Sequence, residues 1–246
     1  MQGSTLEKTR PRKINKKPVR SSALFQAEIP PVLETDDIPH EPKAQCLKMC
    51  PEAEGVLREE THDLSIFEKQ KSSSKKVNLA LAVKKYARSA ADRKMDDPQT
   101  IRPPSILRQT VSYLVNCVLD ADSESHNEFL LPPSSETHSL ELILPFILDR
   151  LRAVQQDFSI IGKADLEYSN GEDFVYCHET SVKIQLMFAN EALEVSNESF
   201  DPTRNYKQLV ATLSALRDRY ASIKRINADS SALDNETQFL AFLLFL

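Results

Sequence analysis

The stretch Ile143-Leu-Pro-Phe-Ile-Leu-Asp-Arg-Leu-Arg-Ala-Val-Gln-Gln-Asp-Phe-Ser-Ile-Ile161 constrains this chain most. Its apolar residues Leu144, Ile147, Leu148, Leu151, Val154, Phe158 and Ile161 recur at steps of three and four, which lines them along one face of an α-helix. The opposite face carries Asp149, Arg150, Arg152, Gln155, Gln156 and Asp157. Pro145 suits only the helix start, where a missing N–H breaks no intrahelical bond. Gly162 follows as a stop signal. Asp149 with Arg152, and Arg152 with Gln156, stand at helix-neighbour spacing, worth a few tenths of a kcal/mol each. The apolar stripe requires other helices to cover it, so this is a core element of a larger helical body.

The rest of the composition agrees. At 246 residues there is room for one large domain or two small ones. Four glycines are too few for the phosphate turns of a doubly wound nucleotide fold. No G-x-G-x-x-G, Walker loop or G-x-S-x-G occurs. The net charge of −5 is unevenly spread. Lys8, Arg10, Arg12, Lys13, Lys16, Lys17 and Arg20 face Glu7 alone in the opening stretch, which makes the remainder more acidic. That cationic end reads either as a contact for nucleic acid, an acidic protein or an import receptor, with Arg12, Lys13, Lys16 and Lys17 at its centre, or as a solvated tail. There is no run of about twenty apolar residues and no signal peptide, so the expectation is an intracellular chain with reduced thiols. Cys46 and Cys50 form a C-x₃-C with His40 and His62 nearby, but a zinc site would need a second tight pair. We expect no metal and no cofactor, and place Cys117 and Cys177 in the core.

Residues 1–44 are basic and then rich in Pro, Glu and Asp, a composition that cannot bury enough apolar surface to fold alone. Residues 45–246 form the helical domain. The pattern predicts a helix opened by Pro51 and running to about Lys69, burying Val56, Leu64 and Phe67. After the polar Lys71–Lys76 loop, a second is predicted over about Leu79–Ala91, with Leu79, Ala82, Val83, Tyr86 and Ala90 inward and Lys84, Lys85 and Arg88 outward. That basic face is either solvated or internally paired, or it is a contact for phosphate or an acidic partner. A Pro-fixed turn precedes a third helix, about Ser105–Leu119, which buries Ile106, Leu107, Val111, Leu114, Val115 and Val118. A loop over 120–136 leads to the central helix. Asn170-Gly171 turns the chain into a fifth, about Phe174–Leu193, with Val175, Val182, Leu186, Met187 and Ala189 inward. A loop over 197–202 precedes a sixth, about Asn205–Ile223, with Tyr206, Leu209, Val210, Leu213, Leu216 and Tyr220 inward. Asn235-Glu236 restarts a last helix ending Phe239-Leu-Ala-Phe-Leu-Leu-Phe-Leu246, so apolar all round that it is expected to be buried, either by chain beyond a fragment or by a partner. The fold class is all-α: antiparallel helical hairpins stacked as a solenoid of the TPR/PCI kind.

The ordered set Met49-Cys-Pro51, Glu54, Arg58-Glu59, Phe67-Glu68, Ala82-Val-Lys-Lys-Tyr-Ala-Arg-Ser-Ala-Ala91, Arg102-Pro-Pro104, Leu107, Thr110, Tyr113-Leu114, Phe146 and Asp149-Arg-Leu-Arg-Ala-Val-Gln-Gln-Asp-Phe158 resembles the Sac-three/GANP family, helical scaffolds associated with messenger RNA export in the TREX-two assembly. The likeness covers about residues 46–246, and Arg102-Pro-Pro104 with Asp149–Val154 is similar to the small animal branch linked to centrosomes and spindles. It implies stacked hairpins followed by a PCI-type winged helix, and assembly with a PCI-type subunit and a small acidic subunit. The sequence reaches Leu246 before any winged-helix segment, so we expect a truncated form with RNA reached through partners. The residues carried over as motif positions are Cys50, Pro51, Arg58, Glu59, Phe67, Glu68, Tyr86, Arg102, Pro103, Asp149, Arg150, Arg152, Gln156 and Asp157. Charges such as Arg58, Glu59, Glu68, Arg150 and Arg152 are expected to tie neighbouring helices together.

Three functions follow from these readings. The first is a non-enzymatic scaffold for nuclear mRNA export, with no membrane and no small-molecule substrate. The second is a scaffold at the centrosome or spindle, with the same surfaces binding protein. The third is an enzyme using Cys50 with His62, or His178 with Glu179. Covalent catalysis needs nucleophile, base and orienting group in one cleft, and no spacing here provides that. His178 itself reads as a helix-surface residue.

Overall fold

Among the described residues the central stripe forms the longest helix, of 28 residues. The computed structural model describes residues 44–69, 74–88, 95–119, 140–167, 171–194 and 201–245. The tail through residue 43, and most of the loops expected at 120–136 and 197–202, lie outside the described residues. The helices are α1 (Glu52–Glu60), α2 (Pro104–Tyr113), α3 (Leu140–Glu167), α4 (Glu172–Glu194), α5 (Pro202–Ile226) and α6 (Glu236–Phe245). Among the described residues the protein is all-helical apart from loops and an isolated Lys69–Val77 bridge, and no helix is long and apolar enough to cross a membrane.

α1 follows Pro51, with Glu52 and Glu54 in its first turn where carboxylates suit the helix dipole. It ends at Glu60, not near Lys69. His62 sits at φ 57, and its N–H donates to Glu59 O (3.2 Å) while Asp63 N–H donates to Arg58 O (2.8 Å). This pair of bonds is a Schellman stop built on histidine instead of glycine, so no glycine marked it in the sequence. After it only a short 3₁₀ turn, Ile66–Glu68, is helical. Phe67 is buried and Leu64 half-buried, but Val56 is exposed.

The second predicted helix is absent among the described residues 79–88. Residues 82–88 form no regular secondary structure, with Ala82, Val83 and Lys84 buried. Helix propensity differs among these residues by only tenths of a kcal/mol, and tertiary hydrogen bonds described below override it. α2 forms as read, with Pro103 at its cap, Pro104 in its first turn and Leu107 and Val111 buried, and passes into a π-helical turn over Leu114–Leu119.

α3 starts at Leu140, earlier than expected, which places Pro145 in its second turn. The proline leaves the Glu141 carbonyl without its intrahelical donor; both residues are exposed, so water can serve it. Gly162 does not end the helix but kinks it: φ 82 and ψ 177 break the helical path before it resumes to Glu167. Leu144, Ile147, Leu151, Val154, Phe158 and Ile161 are buried as the periodicity requires. The face opposite is not solvent: Arg150 and Asp157 are buried too.

α4 has two apolar sides. Phe174, Cys177, Ile184 and Phe188 join the core made with α2 and α3, while Val175 and Val182 join a second core with Leu209, Leu213, Leu216, Tyr220 and Phe239 of α5 and α6. Met187, expected inward, is exposed, as is Tyr206 at the start of α5. α6 packs on α5 through Phe239, with Phe242 and Leu243 partly buried. Leu244 and Phe245 are 86% and 87% exposed, so the described residues do not themselves supply the cover that the apolar pattern calls for.

Candidate interaction site

Many of the residues singled out in the sequence converge on the segment 82–88. A segment outside helix and sheet lacks a backbone ladder, yet its buried N–H and C=O groups still need partners. Side chains supply them. Glu68 Oε1 accepts from Val83 N–H at 3.1 Å, and Arg58 Nη2 donates to Val83 O at 3.2 Å. Lys84 N–H donates to Met49 O at 3.0 Å. Glu54 Oε1 accepts from Lys85 N–H at 2.7 Å, and Asp149 Oδ2 from Tyr86 N–H at 3.2 Å. Gln156 Nε2 donates to Ala87 O at 2.8 Å.

Behind the segment lie two buried charge clusters. In the first, Glu68 is fully buried and Arg58 Nη1 donates to both its oxygens, at 2.9 and 2.8 Å. Arg150 Nη2 adds a bond to Glu68 Oε2 at 3.1 Å, its other nitrogen pairs with Asp149, and its guanidinium stacks 4.6 Å from the Phe146 ring centre. Ser65 N–H closes the set on Glu68 Oε2 at 3.2 Å. Arg58 Nη2 also reaches the Cys50 sulfur at 3.4 Å. Burial first, and then Glu54, push the Cys50 thiol up to about 12 against the opposing pull of Arg58, so it stays protonated and is no nucleophile at neutral pH.

In the second cluster Asp157 bridges two cations. Lys84 Nζ meets its Oδ1 at 2.7 Å, and Arg102 Nε meets its Oδ2 at 2.7 Å. Lys84 also donates to Thr100 O, and Arg102 to Met49 O.

These contacts revise the predicted basic face. Lys84 is buried and internally paired, Lys85 pairs with Asp63 at 2.7 Å, and Arg88 alone of the three is exposed. Arg152 lies 3.9 Å from the Tyr86 ring centre, not on Asp149. Glu59 Oε2 accepts from Val77 N–H at 2.7 Å, Phe67 packs on Phe146 with ring centres 4.9 Å apart, and Pro51 and Pro103 cap α1 and α2. Arg12, Lys13, Lys16 and Lys17 lie outside the described residues.

The enzyme candidates do not assemble. Cys50 is buried while His62 faces solvent. His178 is buried, not on the surface: its ring stacks on Phe174 at 3.8 Å and Nδ1–H donates to Phe174 O at 2.9 Å. Burial pushes its pKa down to about 4, against the pull of the Phe174 carbonyl, so it is neutral. Glu179 instead accepts from Tyr220 Oη (2.6 Å) and Asn235 Nδ2 (2.9 Å), tying α4 to α5 and the approach to α6. His178 lines a cleft of about 430 Å³ among α3, α4 and α5, with Phe158, Phe174 and Thr212. No cluster of three or more His, Cys, Asp or Glu side chains able to hold a metal occurs among the described residues. Sequence reasoning missed Gln185 and Asn205, which interrupt the apolar faces of α4 and α5. The signal was present for Asn205, four residues before Leu209 on the inward stripe.

The fold and its motif residues therefore define an all-helical protein whose most distinctive charged groups hold the architecture together. The SAC3/GANP family model matches residues 49–246, and the chain belongs to that family. It is 26% identical over 200 residues to SAC3 family protein 1 of Schizosaccharomyces pombe, covering 81% of this chain and 17% of that protein. It is 25% identical over 187 residues to protein xmas of Drosophila melanogaster (74% and 8%), and 27% over 180 residues to SAC3 family protein B of Arabidopsis thaliana (71% and 9%). The chain thus spans less than a fifth of the length of these relatives.

Proposed function

We propose that this protein is a non-enzymatic scaffold of nuclear mRNA export, whose helical body carries protein partners and reaches RNA through them. Membership of the SAC3/GANP family over residues 49–246 supports this reading. The observation that carries it is the internal use of the motif charges: Arg58, Glu68, Lys84, Arg102, Arg150 and Asp157 are all buried in mutual ties and present no reaction centre. The partners are a PCI-type subunit and a small acidic subunit, and the basic stretch holding Arg12, Lys13, Lys16 and Lys17 adds a salt-sensitive RNA or acidic-protein contact.

Depletion in cells, followed by in situ detection of polyadenylated RNA, tests the proposal. Nuclear accumulation reversed by the wild-type chain is expected, together with co-purification of a PCI subunit. Unchanged RNA distribution, with the tagged chain at spindle poles during division, would refute it in favour of the centrosomal role.

A further inference from the structure

The cleft among α3, α4 and α5 has a floor of buried side chains: Phe158, Phe174, His178 and Thr212. At its mouth the side chains are small, Ser159 and Gly162 of α3 with Ala211 and Ala215 of α5, and they leave about 430 Å³ open. That volume falls within the roughly 300–1,000 Å³ usual for ligand sites. Ser159 and Ala211 are exposed, so a side chain standing on another protein's surface can enter. Phe174 covers one face of the His178 ring, with centres 3.8 Å apart, and Phe158 stands 5.4 Å away. Nδ1–H donates to Phe174 O at 2.9 Å, and a carbonyl can only accept, so that nitrogen keeps its proton. Burial holds the ring neutral, which makes Nε2 an acceptor. Nε2 makes no hydrogen bond among the described residues and is not sealed from solvent, so its lone pair opens into the cleft that the ring lines.

The other polar side chains of the lining are already engaged. Gln155 bonds both Thr212 and Gln208, and Ser159 donates to Gln156 O. Asp218 pairs with Arg217, and Ser222 accepts from Arg225. Arg219 is buried, its guanidinium 5.6 Å from the Phe174 ring centre. Among the described residues the floor thus presents aromatic carbon and one free acceptor. It suits a ring that carries one donor and no acceptor, which describes indole. A phenyl ring would cover Nε2 without serving it. A lysine or arginine would bring a second cation beside Arg219. A nucleobase carries several donors and acceptors, of which the floor can serve one.

We propose that this cleft receives a tryptophan side chain of a protein partner. The indole packs on the aromatic floor, and its N–H donates to His178 Nε2. A large ring seated in a water-excluding pocket is the kind of anchor that dominates many protein interfaces. The proposal rests on the scaffold reading and gives it a specific contact.

The test titrates the whole chain with N-acetyl-tryptophan amide and with N-acetyl-phenylalanine amide, each to tens of millimolar. Binding is read from the nitrogen NMR signal of His178 Nε2, assigned by its loss in His178→Phe, and from titration calorimetry. The tryptophan amide is expected to shift that signal and to bind at least about fivefold more tightly than the phenylalanine amide. In His178→Phe the ring remains but the acceptor is gone, so the two amides should bind alike. Ala211→Leu puts a larger side chain at the exposed mouth, and should weaken the tryptophan amide by at least about tenfold with an unchanged melting temperature. An unmoved Nε2 signal, equal binding of the two amides to the wild type, or undiminished binding to Ala211→Leu would each overturn the proposal. So would a shift produced by adenosine and not by the tryptophan amide. Such a failure with polyadenylated RNA still retained on depletion removes the cleft and leaves the scaffold; tryptophan binding without an export defect does the reverse.

Discussion

Glu68→Gln isolates the charge that the N-terminal part of the fold depends on. The substitution keeps the shape of a side chain that is fully buried. It removes the counter-charge shared by Arg58 and Arg150, and turns an NH₂ group toward donors that previously met an oxygen. Asp149 still serves Arg150, and Glu54 still stands 3.5 Å from Arg58 Nε, so each cation keeps a weaker partner. Breaking one member of a buried pair costs about 3–5 kcal/mol, a large share of the roughly 5–15 kcal/mol by which domains are stable. With a urea dependence of about 2 kcal/mol/M, the unfolding midpoint should fall by about 2 M. Circular dichroism in a urea series measures it, with Glu52→Gln as control: its pair with Lys48 is exposed on both sides, and loss of its charge near the helix start should move the midpoint by no more than about 0.5 M. The Arg58→Met background adds a second check. If unpaired cations are the cause, Glu68→Gln should cost less there than in the wild type. A midpoint within about 0.3 M of wild type for Glu68→Gln would refute the view that this carboxylate anchors the segment.

His178 is held neutral in the fold with a pKa near 4 against an ordinary 6.5, so its stabilisation is complete above pH 6.5 and is lost as pH falls toward 4. His178→Phe should flatten the stability profile in that window by about 3 kcal/mol relative to wild type, read by thermal melts across pH. His62→Gly relieves the left-handed backbone at the end of α1 and should raise stability by about 0.5–1 kcal/mol; a lower melting temperature contradicts the Schellman assignment. Gly162→Ala meets φ 82 with ψ 177, open only to glycine, and should cost about 1–3 kcal/mol in a urea series. Lys84→Met leaves Asp157 bonded to Arg102 and should cost about 1–3 kcal/mol, less than Arg102→Met; an unchanged melting temperature with weaker RNA retention would return Lys84 to the role of a surface contact.

The apolar half of the fold was legible because it rests on periodicity. α2, α3, α4 and α5 follow stripes at helical spacing, and burial of Leu107, Ile147, Leu151, Leu213 and Leu216 needs no other information. What periodicity could not distinguish was residues 79–88, where Leu79, Ala82, Val83 and Tyr86 fit a helical pattern although the segment is irregular and buried on several sides. The outcome turned on Glu68, Asp149 and Gln156, which lie up to 69 residues away in the chain for the Gln156–Ala87 bond. The end of α1 was hidden because histidine took the place of glycine. Gln185 and Asn205 escaped notice because a polar residue on an inward face carries meaning only once its partner, or the lack of one, is known.

The two halves of the molecule are held together by different physics, and that bears on where partners can bind. The second core, between α4, α5 and α6, is mainly apolar contact beside the Glu179–Tyr220 bond and tolerates exchange of one aliphatic for another. The segment 82–88 cannot be held that way, because hydrocarbon satisfies no N–H. Each carboxylate turned toward it must itself be balanced, which brings in Arg58, Arg150 and Arg102, and each arginine must find further acceptors, which brings in Met49 O and Val83 O. The set therefore stands or falls as a unit. A surface that trades partners cannot be drawn from such a lattice without unfolding it. The groups free to change company are those left outside it: Arg88, Arg152 and Arg204, and the exposed end of α6.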